Sequence, residues 1–129
     1  MATSGILLIL IAVAGITCTA KLSGSHNTTP LRWGLIGCGR ITNDWSATVA
    51  SFCPEHVAMA FASRNASAAN EYATRFGAPK SYSSHEALAQ DPDVDIVYFG
   101  IISPTHYEIS KLLLANNKHV LCEIPVALN

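Results

Sequence analysis

Charge is the scarcest property of this sequence. Only 13% of its 129 residues are charged, and 8 basic against 9 acidic side chains leave a formal net charge of −1. No Lys/Arg cluster disturbs that balance. This excludes the basic footprint that nucleic acid or an anionic membrane surface demands. Cysteine is sparse too, with Cys18, Cys38, Cys53 and Cys122. No two of them have C-x₂-C spacing, so the sequence offers no metal site. Three would remain if Cys18 left with a leader, an odd number for a disulfide framework, and buried free thiols are the reading that fits. Internal repeats and low-complexity segments are missing as well. What is plentiful is apolar surface: half of the chain is hydrophobic, enough for one domain with a sizeable core. The partner such a composition points to is a small molecule or another protein.

Residues 1–20 differ from the rest. Ile6 to Ile16 is an unbroken run of apolar and small residues, followed by Thr17, Cys18, Thr19 and Ala20, with small residues suited to a cut after Ala20. The run is short for a membrane span, which needs about 20 apolar residues. It reads as a signal peptide-like leader, although no Lys or Arg precedes the apolar run. A signal anchor and a hydrophobic leader without a targeting role are the alternatives. Residues 21–30 are polar and read as a linker. They carry the sequon Asn27-Thr28-Thr29, and a second sequon, Asn65-Ala66-Ser67, lies further on. Both become glycosylation acceptors if the chain enters the secretory pathway.

From Leu31 onward strand and helix signals alternate, the pattern of an α/β domain with a parallel sheet. Strands are expected at Leu31 to Ile36, Val57 to Ala62, Lys80 to Tyr82, Val94 to Ile102 and His119 to Cys122. Ile41, Trp45, Val49 and Phe52 recur at helical spacing and predict the buried face of a helix that Pro54 ends. Asn65 or Ser67 caps the next helix, with Ala69, Ala73 and Phe76 inward and Gly77 as its stop. Ser83-Ser84-His85-Glu86 has the form of a capping box. In the last helix Ile109, Leu112 and Leu113 face the core, and Asn116-Asn117 ends it. Right-handed crossovers then give a doubly wound, Rossmann-like sheet in the order 3-2-1-4-5. This sheet is incomplete, because the usual sixth strand has no sequence here. The domain is residues 31–129.

Between the first strand and the first helix stands Gly37-Cys38-Gly39. This placement, an apolar strand running into a glycine turn that opens a helix, is how such a domain holds a dinucleotide. Gly37 allows the tight turn, and Gly39 lets backbone N–H groups approach a pyrophosphate at the helix N-terminus. Thr42 occupies the third glycine position. An NAD-specific domain places an acidic residue at the end of the second strand, for the ribose 2′-OH. Here the residues are Ala62, Ser63, Arg64 and Asn65. Arg64 offers a fork of donors to a 2′-phosphate and Ser63 a hydroxyl, which favours NADP over NAD.

LRWGLIGCGRI at the first strand, ASR at the second, SPTH after the fourth and KHVLCEIP at the fifth together resemble the Gfo/Idh/MocA oxidoreductases. The likeness is to their nucleotide-binding half, and within the family to the dihydrodiol and NADP-dependent D-xylose dehydrogenases. It implies hydride transfer from the hydroxyl-bearing carbon of a sugar or trans-dihydrodiol to the nucleotide. By position it implies cofactor contacts from Gly37, Cys38, Gly39, Arg40 and Ile41, from Ser63 and Arg64, from Ser103, Pro104 and His106, and from Glu123 and Pro125. His106 is either a group on the nicotinamide side or a helix-start residue with no chemical role.

Two departures bear on activity. The family motif at the fifth strand is Glu-Lys-Pro, and its lysine is Ile124 here, which can neither donate a hydrogen bond nor help move a proton. Lys118 lies at the opposite end of that strand and Lys111 mid-helix, so neither replaces it. The family's C-terminal domain, which completes the substrate pocket, is not in this sequence. The expectation is a nucleotide-binding portion that is inactive alone, takes a sugar or diol only with the missing domain, and has no assigned catalytic residue. A non-catalytic secreted or lumenal nucleotide- or protein-binding module is the alternative, and a truncated product without independent activity is another. The leader places the chain in the secretory pathway or the ER lumen, whereas the family resemblance places it in the cytoplasm.

Overall fold

The computed structural model describes residues 8–10, 17–19, 29–53 and 55–125, without the side chains of residues 8–10 and 17–19, Phe52 and Ser103. Strands β1 (Leu8–Leu10) and β2 (Thr17–Thr19) pair antiparallel, Leu8 opposite Thr19. The rest of the leader, most of the linker with Asn27, and Pro54 lie outside the described residues. No helix among the described residues is long and apolar enough to cross a membrane.

The domain proper runs β3 (Leu31–Ile36), α1 (Arg40–Phe52), β4 (His56–Ala62), α2 (Ala66–Phe76), β5 (Lys80–Tyr82), α3 (His85–Ala89), β6 (Ile96–Phe99), a 3₁₀ turn (Ser103–Thr105), α4 (His106–Ala115) and β7 (His119–Cys122). All five strands are parallel, in the order β5-β4-β3-β6-β7. Counted from Leu31 this is the expected 3-2-1-4-5. The order reverses between β3 and β6, and ligands of doubly wound sheets sit at the carboxyl ends of the strands flanking such a reversal.

Helices cover both faces, so successive residues of a strand enter different cores. Trp33, Leu35, Phe61 and Tyr98 pack with Ala73, Trp45, Tyr72 and Phe76 beneath α1 and α2. Ile36, Ala60, Ala62, Val97 and Phe99 pack with Leu88, Ala89, Ile109 and Leu113 beneath α3 and α4. Asn65 Oδ1 accepts from the N–H groups of Ser67 and Ala68 and caps α2. Gly77, at φ 70°, and Asn117, at φ 57°, supply the left-handed residues that follow α2 and α4.

Several expectations are corrected. The fourth strand is Ile96–Phe99 rather than Val94 to Ile102, because its partner β3 ends at Ile36, opposite Phe99. Ile41 is 55% exposed, while Thr42 is wholly buried. The buried side of α1 carries Thr42, which faces Gly100, and Ser46 one turn on. The N-cap of α3 is Ser84, whose Oγ accepts from Ala87 N–H. Glu86 is then one residue short of the capping-box position. The thiols of Cys38 and Cys122 are half-buried rather than buried.

A charged network closes the opposite, amino edge. The Asp91 carboxylate accepts from Lys80 Nζ at 2.8 Å and from the Tyr82 hydroxyl at 3.0 Å. The guanidinium of Arg32 meets Asp95 at 2.7 Å and Asp93 at 3.2 Å. Lys118 is buried and donates to the carbonyls of Asp91 and Val94. It is thus a structural residue, remote from the carboxyl edge.

Candidate functional site

One row of paired residues crosses the sheet near its carboxyl edge: Tyr82, Ala62, Ile36, Phe99 and Cys122. Every candidate site residue follows that row within a short stretch of chain. Parallel pairing alone therefore brings together segments that are far apart in sequence.

At the switch point Ile36 gives way to Gly37, whose N–H donates to Ala62 O at 2.9 Å. Gly37 has φ 91°, and a Cβ there would stand 2.6 Å from Ile101 Cγ2. Only glycine fits. Gly39 is different: its backbone is extended, and a Cβ would meet no atom within 4 Å. The space over Gly39 is open. Gly39 is also the N-cap of α1, where no side chain caps the helix and no acidic residue occupies the first turn. The first N–H groups of α1 are thus available to an anion, supported by the helix dipole. These features fit the pyrophosphate of a dinucleotide. Burial pushes the Cys38 thiol above its ordinary value, an effect the nearby Ser63 hydroxyl opposes.

Beyond β4, Ser63 N–H donates to Tyr82 O at 3.1 Å, and Ser63 Oγ accepts from Asn65 N–H. Between them Arg64 stands exposed. No acidic residue occupies this strand end.

Beyond β6 the chain passes Gly100 and enters the 3₁₀ turn that carries Ser103 and Pro104. His106 is 1% exposed. Its Nδ1 lies 2.8 Å from Pro125 O and its Nε2 2.8 Å from Ile101 O. Both ring nitrogens thus face backbone carbonyls, one after β6 and one after β7, and a neutral ring donates to whichever its tautomer selects. His106 thus sits between the two segments, at the start of α4. Beyond β7, Glu123 Oε1 accepts from the Tyr98 hydroxyl at 2.9 Å. Ile124 is 85% exposed and precedes a cis peptide bond to Pro125.

Tyr98 is the residue that sequence reasoning missed, and Thr42 was read there only as the occupant of the third glycine position. A tyrosine inside a buried strand needs a partner for its hydroxyl, and that need was a usable signal. Thr42 Oγ1 is buried without a hydrogen-bond partner, and it faces Gly100. A separate group, Cys53, Glu55 and His56, gathers at the other end of the sheet with metal-compatible spacing. However, Trp33 Nε1–H donates to His56 Nδ1 at 3.0 Å. This places the proton of a neutral His56 on Nε2 and leaves no lone pair for a cation.

Comparison with known proteins agrees with this geometry. Residues 31–129 match the Gfo/Idh/MocA model, described as an oxidoreductase family with an NAD-binding Rossmann fold. The trans-1,2-dihydrobenzene-1,2-diol dehydrogenase of Xenopus tropicalis is 37% identical over 99 residues, covering 76% of this chain and 30% of that protein. The Homo sapiens enzyme of the same name is 41% identical over 100 residues, covering 77% and 30%. The chain thus spans about 30% of the length of these relatives. A 3-ketoreductase from Actinomadura kijaniata, solved with TDP-benzene and NADP, is 33% identical with a TM-score of 0.71, over 76% of this chain and 31% of that one. The scyllo-inositol dehydrogenase from Lactobacillus casei, with NAD(H) and scyllo-inositol, shares the fold at 21% identity and a TM-score of 0.71, over 77% and 29%.

Proposed function

The chain belongs to the Gfo/Idh/MocA oxidoreductases, and from that premise we propose that it is the nucleotide-binding portion of an NADP-dependent dehydrogenase. The substrate class is a sugar or trans-dihydrodiol. One observation carries the cofactor choice. The open glycine turn at the switch point faces a second-strand end that bears Ser63 and Arg64 where an acidic residue would select NAD.

Each segment of the carboxyl edge takes a part in this reading. Gly37, Gly39 and the first N–H groups of α1 receive the pyrophosphate, with Cys38, Arg40 and Ile41 forming the wall of the turn. Arg64 offers its planar fork to the 2′-phosphate, with Ser63 beside it. Ser103, Pro104, Glu123 and Pro125 border the nicotinamide end, and His106 holds these borders in register from behind. When bound, the nicotinamide supplies the hydride acceptor. The experiment is titration of the full chain with NADPH, followed by nicotinamide fluorescence, with NADH as comparator. Saturable binding that favours NADPH is expected. Equal affinity for the two would overturn the NADP assignment, and no binding by folded protein would overturn the cofactor reading.

Ile124 favours a second reading. At the position of the family lysine its exposed alkyl side chain brings no proton-transfer group. In this reading the chain binds nucleotide or protein without turnover, in the secretory pathway or the ER lumen. Asn65 is exposed and uses its carbonyl oxygen in the cap, and a glycan there would crowd Arg64. Secretory expression should therefore give a glycosidase-sensitive mobility shift that Asn27→Gln and Asn65→Gln abolish together. An unshifted chain would instead support the cytoplasmic assignment.

A further inference from the structure

Tyr98 joins two parts of the site that are otherwise separate. It lies in β6 with only 2% of its surface exposed. Its hydroxyl reaches past the end of the strand to Glu123 Oε1, 2.9 Å away. Its ring stacks on Trp45, with centroids 4.7 Å apart and planes 7° from parallel. Trp45 belongs to α1, the helix that opens at Gly39, and it rests in turn against Trp33, with centroids 4.7 Å apart. One side chain thus touches both the pyrophosphate helix and the carboxylate at the nicotinamide end.

We propose that Tyr98 is a positioning residue for the nucleotide, holding the Glu123 carboxylate through one oxygen and leaving the other for the nicotinamide side of the cofactor. This inference rests on the nucleotide reading above. Its physical basis is the difference between a mobile and a held carboxylate. A half-exposed glutamate turns about three side-chain bonds and loses that freedom when it binds a ligand. A charge-assisted hydrogen bond from a buried phenol removes much of the freedom beforehand. The Tyr98 ring cannot swing away, because Trp45 covers its face. Through Trp45 the placement of Glu123 is set relative to α1, so both ends of one elongated cofactor are referred to the same rigid stack.

A tyrosine that merely satisfies its own hydroxyl would show the same hydrogen bond, and a double-mutant cycle separates the two roles. Tyr98→Phe keeps the ring and the Trp45 stack and removes only the hydroxyl. In the full chain its NADPH dissociation constant should rise about tenfold, with Trp fluorescence and thermal midpoint reporting an intact fold. Glu123→Ala should weaken binding at least as much. Adding Tyr98→Phe to Glu123→Ala should then change binding no further. Unaltered NADPH binding in Tyr98→Phe would overturn the proposal, and so would an undiminished loss in the Glu123→Ala background. Glu123→Gln gives a second test that leaves Tyr98 in place. Its amide oxygen still accepts from the hydroxyl, so it should bind more tightly than Glu123→Ala, and equal losses in the two would overturn the proposal. Wild-type protein that binds no NADPH at all would instead remove the nucleotide reading, and this inference with it.

Discussion

The two glycines of the turn should respond to the same substitution in opposite ways. Gly37→Ala puts a Cβ 2.6 Å from Ile101 Cγ2 on a residue at φ 91°. The left-handed backbone costs an L-residue roughly 1–2 kcal/mol, and forcing the packed contact adds about 1–3 kcal/mol. Ile101 is β-branched and stiff at χ1, so it gives way reluctantly. A loss of about 2–5 kcal/mol follows, which for a domain of this size lowers the thermal midpoint by roughly 10–30 °C. Gly39→Ala meets no atom within 4 Å and needs no unusual φ. Its stability should stay within about 0.5–1 kcal/mol of wild type. Its methyl group, however, enters the space over the α1 N-terminus and keeps a phosphate from the N–H groups. Losing one or two charge-assisted hydrogen bonds, about 1.5–3 kcal/mol each, weakens NADPH binding by at least ~10-fold. Circular dichroism melting and NADPH fluorescence on both variants give the comparison. A Gly39→Ala protein that binds like wild type, or a Gly37→Ala protein that melts like it, would refute the division of labour.

Arg64→Ala should weaken NADPH by roughly tenfold or more and leave NADH within about twofold, measured by the same titration; a parallel loss for both would deny Arg64 its selective role. Burial pushes the Asp91 carboxyl up, but the Lys80 ammonium, the Asp93 N–H and the Tyr82 hydroxyl together hold it below its ordinary value. Its stabilising contribution is therefore present above the unfolded carboxylate pKa, about 3.9, and fades as pH falls through the lower folded value. Asp91→Asn should cost about 1–3 kcal/mol at pH 7, and the difference from wild type should shrink in melts taken toward pH 2. Finally, Ile124→Lys in a chimera bearing the remainder of a dihydrodiol dehydrogenase relative should give NADP-dependent diol oxidation at least ~100-fold above the Ile124 chimera. Similar rates for the two chimeras would show that the lysine position is dispensable here.

Much of the fold was legible because local chemistry and tertiary structure agree. Alternating apolar strands, the Asn65 cap, the Gly77 stop and the Asn117 turn all follow from rules acting over a few residues. Non-local geometry decided the remainder. The extent of β6 depends on where β3 ends, which no window around Val94 to Ile102 contains. The exposure of Ile41 depends on which side of α1 turns inward, and that side carries Thr42. The site was legible where glycine carries the information, at Gly37 and Gly39. It was opaque at Tyr98, because the Glu123 that completes it lies 25 residues away. His106 illustrates the limit of motif reading. Its position matches a family pattern, but that pattern does not foretell that its ring lies buried between the carbonyls of Ile101 and Pro125.

The exposure of Ile124 has a consequence for how such a chain changes over time. A residue that is 85% in solvent contributes almost nothing to the free energy of folding through burial. Lysine and isoleucine at that position cost the core about the same, so folding and cellular quality control do not distinguish the two. Position 124 is therefore one where a side chain can be exchanged silently, while the cradle at Gly37 stays under the scrutiny of the fold itself.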